Sequence, residues 1–521
     1  MNTKIFRIYG PPGTGKTTAL LNKVDEALHA GVNPAHIGYF AFTRQAANEA
    51  SERACSRFNL DKSQLPWFRT LHSFALKLSG IRQEQIMQSE HYKEIGATIG
   101  MDLIVDPRSL NGEEVFDLNK NSNPVISLLN LARLRKVDLR TQYDTSSVQV
   151  AWNTVKYVSD CINEYKHRFN LYDFTDMLEV FVREGAGFCP RLAITFIDEA
   201  QDLSPLQWDV AHVLEENSSR IYCAGDDDQA IYRWAGADVE HFIGLNGGYE
   251  VLEQSYRVPA SVHPVAERIV KRIRRRVPKN YLPRSEQGKV QHIPDTSFLD
   301  FAEGSWLVLA QAAYFLNDAA EDLKSRGFLY NRNGHRSISE KLSEAVNSWE
   351  QLRKGLQITG KAARTVYSYM SIGDRVQRGF KKLPALDDDE TVSMDELIAN
   401  HGLVELVHLV GTPRLEENIR NCIWHEAMDK MPSGERAYIT ALLRRGEKFN
   451  AIPRINLSTI HGSKGGEADN VILYTDLSPA AQKASEASPD DLHRVFYVGV
   501  TRTKQNLFLI EPQDSERSYW L

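Results

Sequence analysis

Gly10, Gly15, Lys16 and Thr17 stand in the order G-x-x-x-x-G-K-T, and the chemistry which that spacing serves is phosphate binding. Glycines let the loop curl until its N–H groups face phosphate oxygens. A helix starting there adds partial positive charge. The expected nucleotide-binding residues are Gly10, Pro11, Pro12, Gly13, Thr14, Gly15, Lys16, Thr17 and Thr18. Lys16 can reach the β and γ phosphates, and Thr17 can hold Mg²⁺. Such a site needs a second acid. Ala193–Ile197 is an apolar run that ends in Asp198-Glu199. Asp198 is set to hold Mg²⁺ with Thr17, and Glu199 to orient or deprotonate the attacking water. An Asp-Glu pair is by itself commonly solvated surface; its place after a buried strand in a P-loop chain gives it weight. A nucleoside triphosphate and Mg²⁺ are the expected ligands.

The elements around these residues must hold them. KIFRIY (4–9) reads as a short buried strand and TALLNKVDEAL (18–28) as a helix, the strand–loop–helix setting that a chance Gly-rich turn lacks. Between Lys16 and Asp198 the chain is too long for a bare nucleotide-binding unit. The excess reads as helical: Ala151, Val155, Val158, Ile162 and Tyr165 recur at helical steps. Strand–helix alternation resumes at Leu252, with apolar strands at Trp306–Ala310, Asn470–Tyr474 and Asn506–Ile510. A second interruption carries the helical series Ile338, Leu342, Ala345, Trp349, Leu352 and the acidic loop Asp387–Glu390.

The 521 residues suggest about three or four domains. A 42% hydrophobic and 25% charged composition is that of a globular protein, and Lys+Arg 62 against Asp+Glu 68 excludes a uniformly basic nucleic-acid coat. Cys55, Cys161, Cys189, Cys223 and Cys422 form no C-x-x-C pair, which points to a reduced compartment with neither a disulfide framework nor structural zinc. No signal peptide or membrane span is expected. One basic run, Lys271, Arg272, Arg274, Arg275, Arg276 and Lys279, is a candidate nucleic-acid contact, with a solvated helix face as the alternative.

AFTRQAANEA (41–50), TLHSFA (70–75), DFTDML (173–178), FIDEAQDLSPLQ (196–207), AGDDDQAIYRWAGAD (224–238), LEQSYRVP (252–259), STIHGSKGGEAD (458–469) and FYVGVTRTK (496–504) follow in that order. The ordered set resembles the motifs of superfamily 1A DNA helicases of the UvrD/Rep type. RecD-like relatives of opposite polarity carry a GDxxQLPP-type third motif where this chain has GDDDQAIYRW.

The resemblance implies an α/β fold of two RecA-like P-loop domains with parallel sheets, each interrupted by a mainly helical accessory insertion. The expected division is 1–79, 169–250 for the first domain, 80–168 for its insertion, 251–335 and 453–521 for the second domain, and 336–452 for its insertion. ATP would lie between the domains and single-stranded DNA across them, with 3′ to 5′ movement. By resemblance Gln229 contacts the γ-phosphate, Arg257 and Arg502 are arginine fingers, Tyr256 stacks on adenine and Glu467 lies near the sugar or phosphates. Phe42, Tyr232 and Trp234 would stack on bases, a sequence-tolerant contact worth about 1–3 kcal/mol per base. Thr43, Arg44, His72, Thr459 and His461 would touch the backbone. Partners implied are single-stranded DNA and single/double-strand junctions, along with replication or repair proteins. RNA stays a candidate because such contacts need not reject a 2′-OH. The expected location is the cytoplasm of a bacterial or phage-infected cell, at the nucleoid.

Three departures stand out. The P-loop begins at Gly10, which leaves no room upstream for the family's adenine-reading glutamine motif, and Thr18 replaces an arginine that often packs on the base. The third motif reads Trp234-Ala235-Gly236 where WRG is usual. The second insertion is short. Competing functions are a translocase that strips proteins with little unwinding, and a nucleotide-controlled DNA-binding or sensing subunit.

Overall fold

A computed structural model describes residues 4–105, 123–383, 385–409 and 412–521. Stretch 106–122 of the first expected insertion and residues 384 and 410–411 of the second lie outside the described residues, as do residues 1–3 of the first domain.

Six strands make the first sheet: β1 (Ile5–Tyr9), β2 (Ile37–Ala41), β3 (Phe68–Thr70), β4 (Leu192–Ile197), β5 (Ser218–Gly225) and β6 (Gly248–Val251). They lie in the order β3-β2-β4-β5-β1-β6 and every pairing is parallel. A parallel sheet is covered on both faces, which is why β2 reads IGYFA with every residue buried. One face packs Ile8, Tyr39 and Phe196 against Leu20, Leu21 and Val24 of helix α1 (Lys16–His29). The other packs Tyr9, Phe40 and Ile197 against Phe74, Trp208 and Leu214.

Parallel pairing brings the carboxyl ends of β1, β2, β3, β4 and β5 to one edge. Gly10, Phe42, Leu71, Asp198 and Asp226 follow those ends. Ligands of open α/β sheets bind at that edge. Thr43 caps helix α2 (Arg44–Phe58), accepting from Ala46 N–H, and Thr70 caps helix α3 (Leu71–Leu78), accepting from Ser73 N–H.

The second sheet contains β7 (Lys289–Ile293), β8 (Trp306–Ala310), β9 (Tyr330–Arg332) and β10 (His335–Arg336). After two short antiparallel pairs, β11 (Ile358–Thr359) with β12 (Thr391–Val392) and β13 (Leu406–Leu409) with β14 (Thr412–Asn418), the sheet resumes as β15 (Ile455–Thr459), β16 (Ala468–Tyr474) and β17 (Thr503–Ile510). Its order is β10-β9-β15-β8-β16-β17-β7, parallel except for the β9–β10 edge hairpin. The expected two-sheet α/β architecture is therefore present.

Two further cores stand apart from the sheets. One gathers Met87, Tyr92, Val125, Val155, Val158 and Ile162, three of them on the helical series read from the sequence. The other runs from Leu329 to Phe449 around Trp349, whose Nε1–H donates to Cys422 O at 2.9 Å. Its two antiparallel strand pairs were not foreseen. No helix among the described residues is long and apolar enough to cross a membrane.

Candidate functional site: a phosphate cradle between two sheets

The P-loop follows β1 and is fixed at its base by Gly10 N–H donating to Gly225 O at 3.0 Å. Gly13 and Gly15 take φ of 71° and 77°, a left-handed conformation that favours glycine. Space adds a second constraint. A Cβ on Gly10 would fall 1.9 Å from Lys16 Cγ, and one on Gly13 would fall 2.4 Å from Arg257 Cβ. The loop is thus shaped for backbone to approach a ligand closely. Thr14 Oγ1 donates to Pro11 O at 2.8 Å and closes the turn. Gly15 caps α1 with no side chain over the helix N-terminus, and Thr18 sits in the first turn. Pro12 O accepts from Ser255 Oγ at 2.7 Å, and Gly13 O from Tyr256 N–H at 2.9 Å, so the second domain's first segment is hydrogen-bonded to the loop itself.

Lys16 Nζ lies 3.2 Å from Gly10 O and 3.5 Å from Glu199 Oε1. Thr17 Oγ1 donates to Asp198 Oδ2 at 3.2 Å, and Tyr39 OH donates to the same oxygen at 2.8 Å. Glu199 has φ 53°, an uncommon non-glycine geometry that turns its side chain off the strand line. Burial and the neighbouring Glu199 raise the Asp198 carboxyl. Burial also works against Glu199, but Lys16 and Lys464 outweigh it and hold that carboxyl at about 2. The result is an ionised Glu199 carboxylate beside Asp198, whose ionisation burial opposes.

The donors fit Mg²⁺. Thr17 and Asp198 offer hard oxygens at one point, and among the described residues no group of three or more His, Cys, Asp or Glu could hold a metal unaided. A Mg²⁺ ion there would take its other ligands from phosphate and water, its usual preference. Thr17 and Asp198 would hold it, and the cation would neutralise charge on the phosphate oxygens.

Gln229 lies where the two domains meet. Its Nε2 donates to Asp226 Oδ2 at 2.6 Å, and its Oε1 accepts from Arg502 Nη2 at 2.7 Å. Gln201 connects this pair to Glu199: it donates to Glu199 Oε2 at 2.6 Å and accepts from Asp226 N–H at 3.0 Å. Burial and nearby Arg257 pull the Arg502 guanidinium down to about 9, so it sits where an incoming anion is favoured. Arg257 Nε donates to Glu467 Oε2 at 2.7 Å, and Lys504 Nζ lies 2.8 Å from Glu467 Oε1. The Tyr256 ring is 72% exposed beside them.

The expected stacking residues also converge. Phe42 and Tyr232 rings lie parallel, 6.1 Å apart and inclined by 13°. Tyr232 OH donates to His461 O at 3.3 Å, and the His461 ring meets Trp234 edge-on at 6.0 Å. Trp234 is 37% exposed. Thr459 ends β15, where its Oγ1 accepts from Gly462 N–H at 3.1 Å, and Arg44 opens α2 beyond Thr43. Burial and Lys464 lower His461 to about 4, so its ring is neutral near pH 7.

Two expected contacts have surroundings that the sequence does not announce. His72 is 6% exposed and stacks on Phe174 at 4.0 Å; burial and Arg44 lower it to about 3. A neutral ring stacked on Phe174 and largely buried has a packing role in this structure. The basic run is only partly drawn inward: the Lys271 and Arg275 side chains stay 72% and 71% exposed. Arg276 and Lys279 are paired to Asp228, and Arg275 to Glu240.

Sequence reading missed Lys464, which bonds Asp202 Oδ2, donates to Gln229 O at 2.9 Å and lies 4.8 Å over the Tyr232 ring. It thereby touches both the phosphate side and the aromatic row. Its signal was present in the quoted segment 458–469, three residues after His461. Tyr39 and Gln201 were missed as well.

Residues 2–250 match the family model described as UvrD/REP helicase N-terminal domain, and residues 417–513 match the UvrD-like helicase C-terminal domain. The chain is 24% identical over 299 residues to the ATP-dependent DNA helicase PcrA of Leuconostoc citreum, covering 54% of this chain and 39% of the relative. It is 23% identical over 296 residues to PcrA of Staphylococcus aureus strain Mu50, covering 54% and 40%. With PcrA of Bacillus subtilis the identity is 25% over 351 residues, covering 64% and 46%. The matched stretch spans less than half of each relative's length. With both family models in chain order across a P-loop cradle completed from a second sheet, the chain belongs to the UvrD/Rep-like superfamily 1A helicases.

Proposed function

We propose that the chain is an ATP-dependent 3′→5′ translocase on single-stranded DNA, and a DNA helicase, working with Mg²⁺ in the cytoplasm at the nucleoid. One observation carries the reading. The loop after β5 holds Gln229 between Asp226 and Arg502, and five residues later it supplies Trp234 to the aromatic row. A change at the γ-phosphate needs to travel only that far to reach a stacked base.

In this reading Lys16 and the P-loop N–H groups bind the β and γ phosphates, and Glu199 takes the proton of the attacking water. Arg502 and Arg257 stabilise charge that spreads over the transferring oxygens. Both arginines belong to the second domain, so hydrolysis follows the domains' approach. Phe42, Tyr232 and Trp234 hold bases without reading them, as a translocase requires. Thr43, Arg44, Thr459 and His461 line the backbone path. Tyr256 and Glu467 contact base and sugar.

The test is ATPase activity with and without single-stranded DNA or RNA, followed by strand separation on duplexes with 3′ or 5′ overhangs. Stimulation by DNA and unwinding from the 3′ overhang are expected. Hydrolysis indifferent to any single strand would overturn the reading. Stimulated hydrolysis with protein displacement but no unwinding would assign the protein-stripping alternative.

A further inference from the structure

Asp226, Asp227 and Asp228 follow β5 and are at most 1% exposed. Three adjacent carboxylates removed from water repel one another and lose hydration, so cations must accompany them. They come from the other domain. Lys279 Nζ lies 3.2 Å from Asp226 Oδ1, 2.7 Å from Asp227 Oδ1 and 2.6 Å from Asp228 Oδ2. Arg276 forks onto Asp228 through Nε and Nη2, each at 2.8 Å, and Val277 N–H donates to Asp227 Oδ2 at 2.7 Å. The segment that carries them follows helix His263–Val270, and its neighbours Ile273 and Tyr281 pack in the same core as Leu309 and Val471 of the second sheet.

Asp226 divides its two oxygens. Oδ1 faces Lys279, while Oδ2 accepts from Gln229 Nε2. With that amide N–H₂ group engaged, the Gln229 oxygen points to Arg502. The line Lys279–Asp226–Gln229–Arg502 therefore starts in the second domain, crosses the first and returns. The fully buried Arg494 braces it: Nε donates to Asp227 O at 2.9 Å and Nη2 to Arg275 O at 2.6 Å, from the helix Pro489–Val500 that leads into Arg502.

We infer that Lys279 is a positioning residue for Gln229: by fixing the Asp226 carboxylate, it sets the Gln229 amide to read the γ-phosphate. The inference rests on Gln229 being the γ-phosphate contact of the proposed function. A purely structural counter-ion would hold the loop without favouring one nucleotide over another.

The experiment measures the Kd of the full chain for Mg²⁺–ADP and for Mg²⁺ with the non-hydrolysable β,γ-imido analogue of ATP. It uses the wild type, Lys279→Met, and Lys279→Met/Asp227→Asn, in which one buried carboxylate charge is removed together with its cation. The double variant should melt close to the wild type. Its preference for the imido analogue over ADP should fall about tenfold with ADP affinity within about twofold, roughly 1.4 kcal/mol confined to the γ-phosphate. In Gln229→Ala the same change at Lys279 should alter the preference no further. An unchanged preference, an equal loss for both nucleotides, or a wild type without preference would each overturn the inference. If neither Lys279 variant folds, Asp226→Asn, which keeps the shape and removes the charge that Lys279 holds, decides by the same ratio. Binding is read without hydrolysis or DNA, so a chain whose ATPase ignores DNA would fail the proposed function while leaving this result readable.

Discussion

Arg502, just before β17, donates to the side-chain oxygen of Gln229 at 2.7 Å, a bond between residues of different domains. A lysine in its place has no planar fork and cannot serve both Gln229 and a phosphoryl oxygen. Arg502→Lys should keep nucleotide binding and lose about 10³-fold in kcat, the low end for an arginine finger. Single-turnover ATPase at saturating nucleotide checks it, and turnover within a few-fold of wild type would remove Arg502 from the site.

Lys16→Ala should abolish hydrolysis, because its Nζ is the cation between the loop carbonyl of Gly10 and Glu199. Glu199→Gln should bind nucleotide and fail to turn over, since Thr17 and Asp198 remain intact. Equilibrium binding beside steady-state ATPase separates the two variants. Normal DNA-stimulated turnover in either would refute the assignment.

Trp234→Ala should weaken single-strand binding by about 1–3 kcal/mol and impair unwinding, with DNA-independent ATPase little changed. The ring is partly exposed and meets His461 edge-on, whereas Lys16 and Thr17 reach Glu199 and Asp198. Loss of basal ATPase together with a lowered Tm would mean that Trp234 is a packing residue.

Nucleotide selectivity should be loose. Tyr256 is largely exposed and Thr18 is too short to clamp a base. Turnover of ATP, GTP and CTP at equal subsaturating concentration should agree within roughly tenfold, far below the 10⁴ or more that a hydrogen-bonding base reader delivers. A preference for ATP of about several hundredfold would show that another group reads the adenine.

His72 gives the pH prediction. Burial lowers its folded pKa to about 3, below the ordinary value of 6.5. The unfolded chain therefore takes up the proton first. The stability this residue contributes is complete above pH 6.5 and is lost as pH falls towards about 3, at up to about 1.4 kcal/mol per pH unit. Urea unfolding of the wild type and His72→Phe between pH 7 and pH 4.5 should show a steeper acid loss in the wild type. Parallel curves would place a solvated imidazole at that position.

The P-loop turn and the place of Asp198-Glu199 after β4 were legible because their pattern is local: spacing, a strand before, a helix after. The two-sheet fold followed from strand–helix alternation. What stayed hidden depends on pairings between distant segments. Lys279 reads as surface charge until its partners 51 to 53 positions away fold against it, and nothing in the sequence says that those carboxylates are dry. His72 sits in a segment that resembles a nucleic-acid motif, yet Phe174, about a hundred residues on, claims its ring face. Lys464 was overlooked because a lysine among glycines carries no periodicity.

The chain leaves the second sheet at β10 and returns at β15, and both meet β9: Arg336 pairs with Asn331 on one side, Asn456 on the other. Exit and return are thus two strand spacings apart, roughly 10 Å. The described residues between them gather on a core around Trp349, tied back by Tyr438 OH donating to Phe328 O at 2.8 Å. A short turn could span that gap without altering the order of β9, β15 and β8. The segment is in effect a cassette plugged into one edge of the sheet, and a lineage could gain, lose or exchange it while the nucleotide-facing strands kept their register.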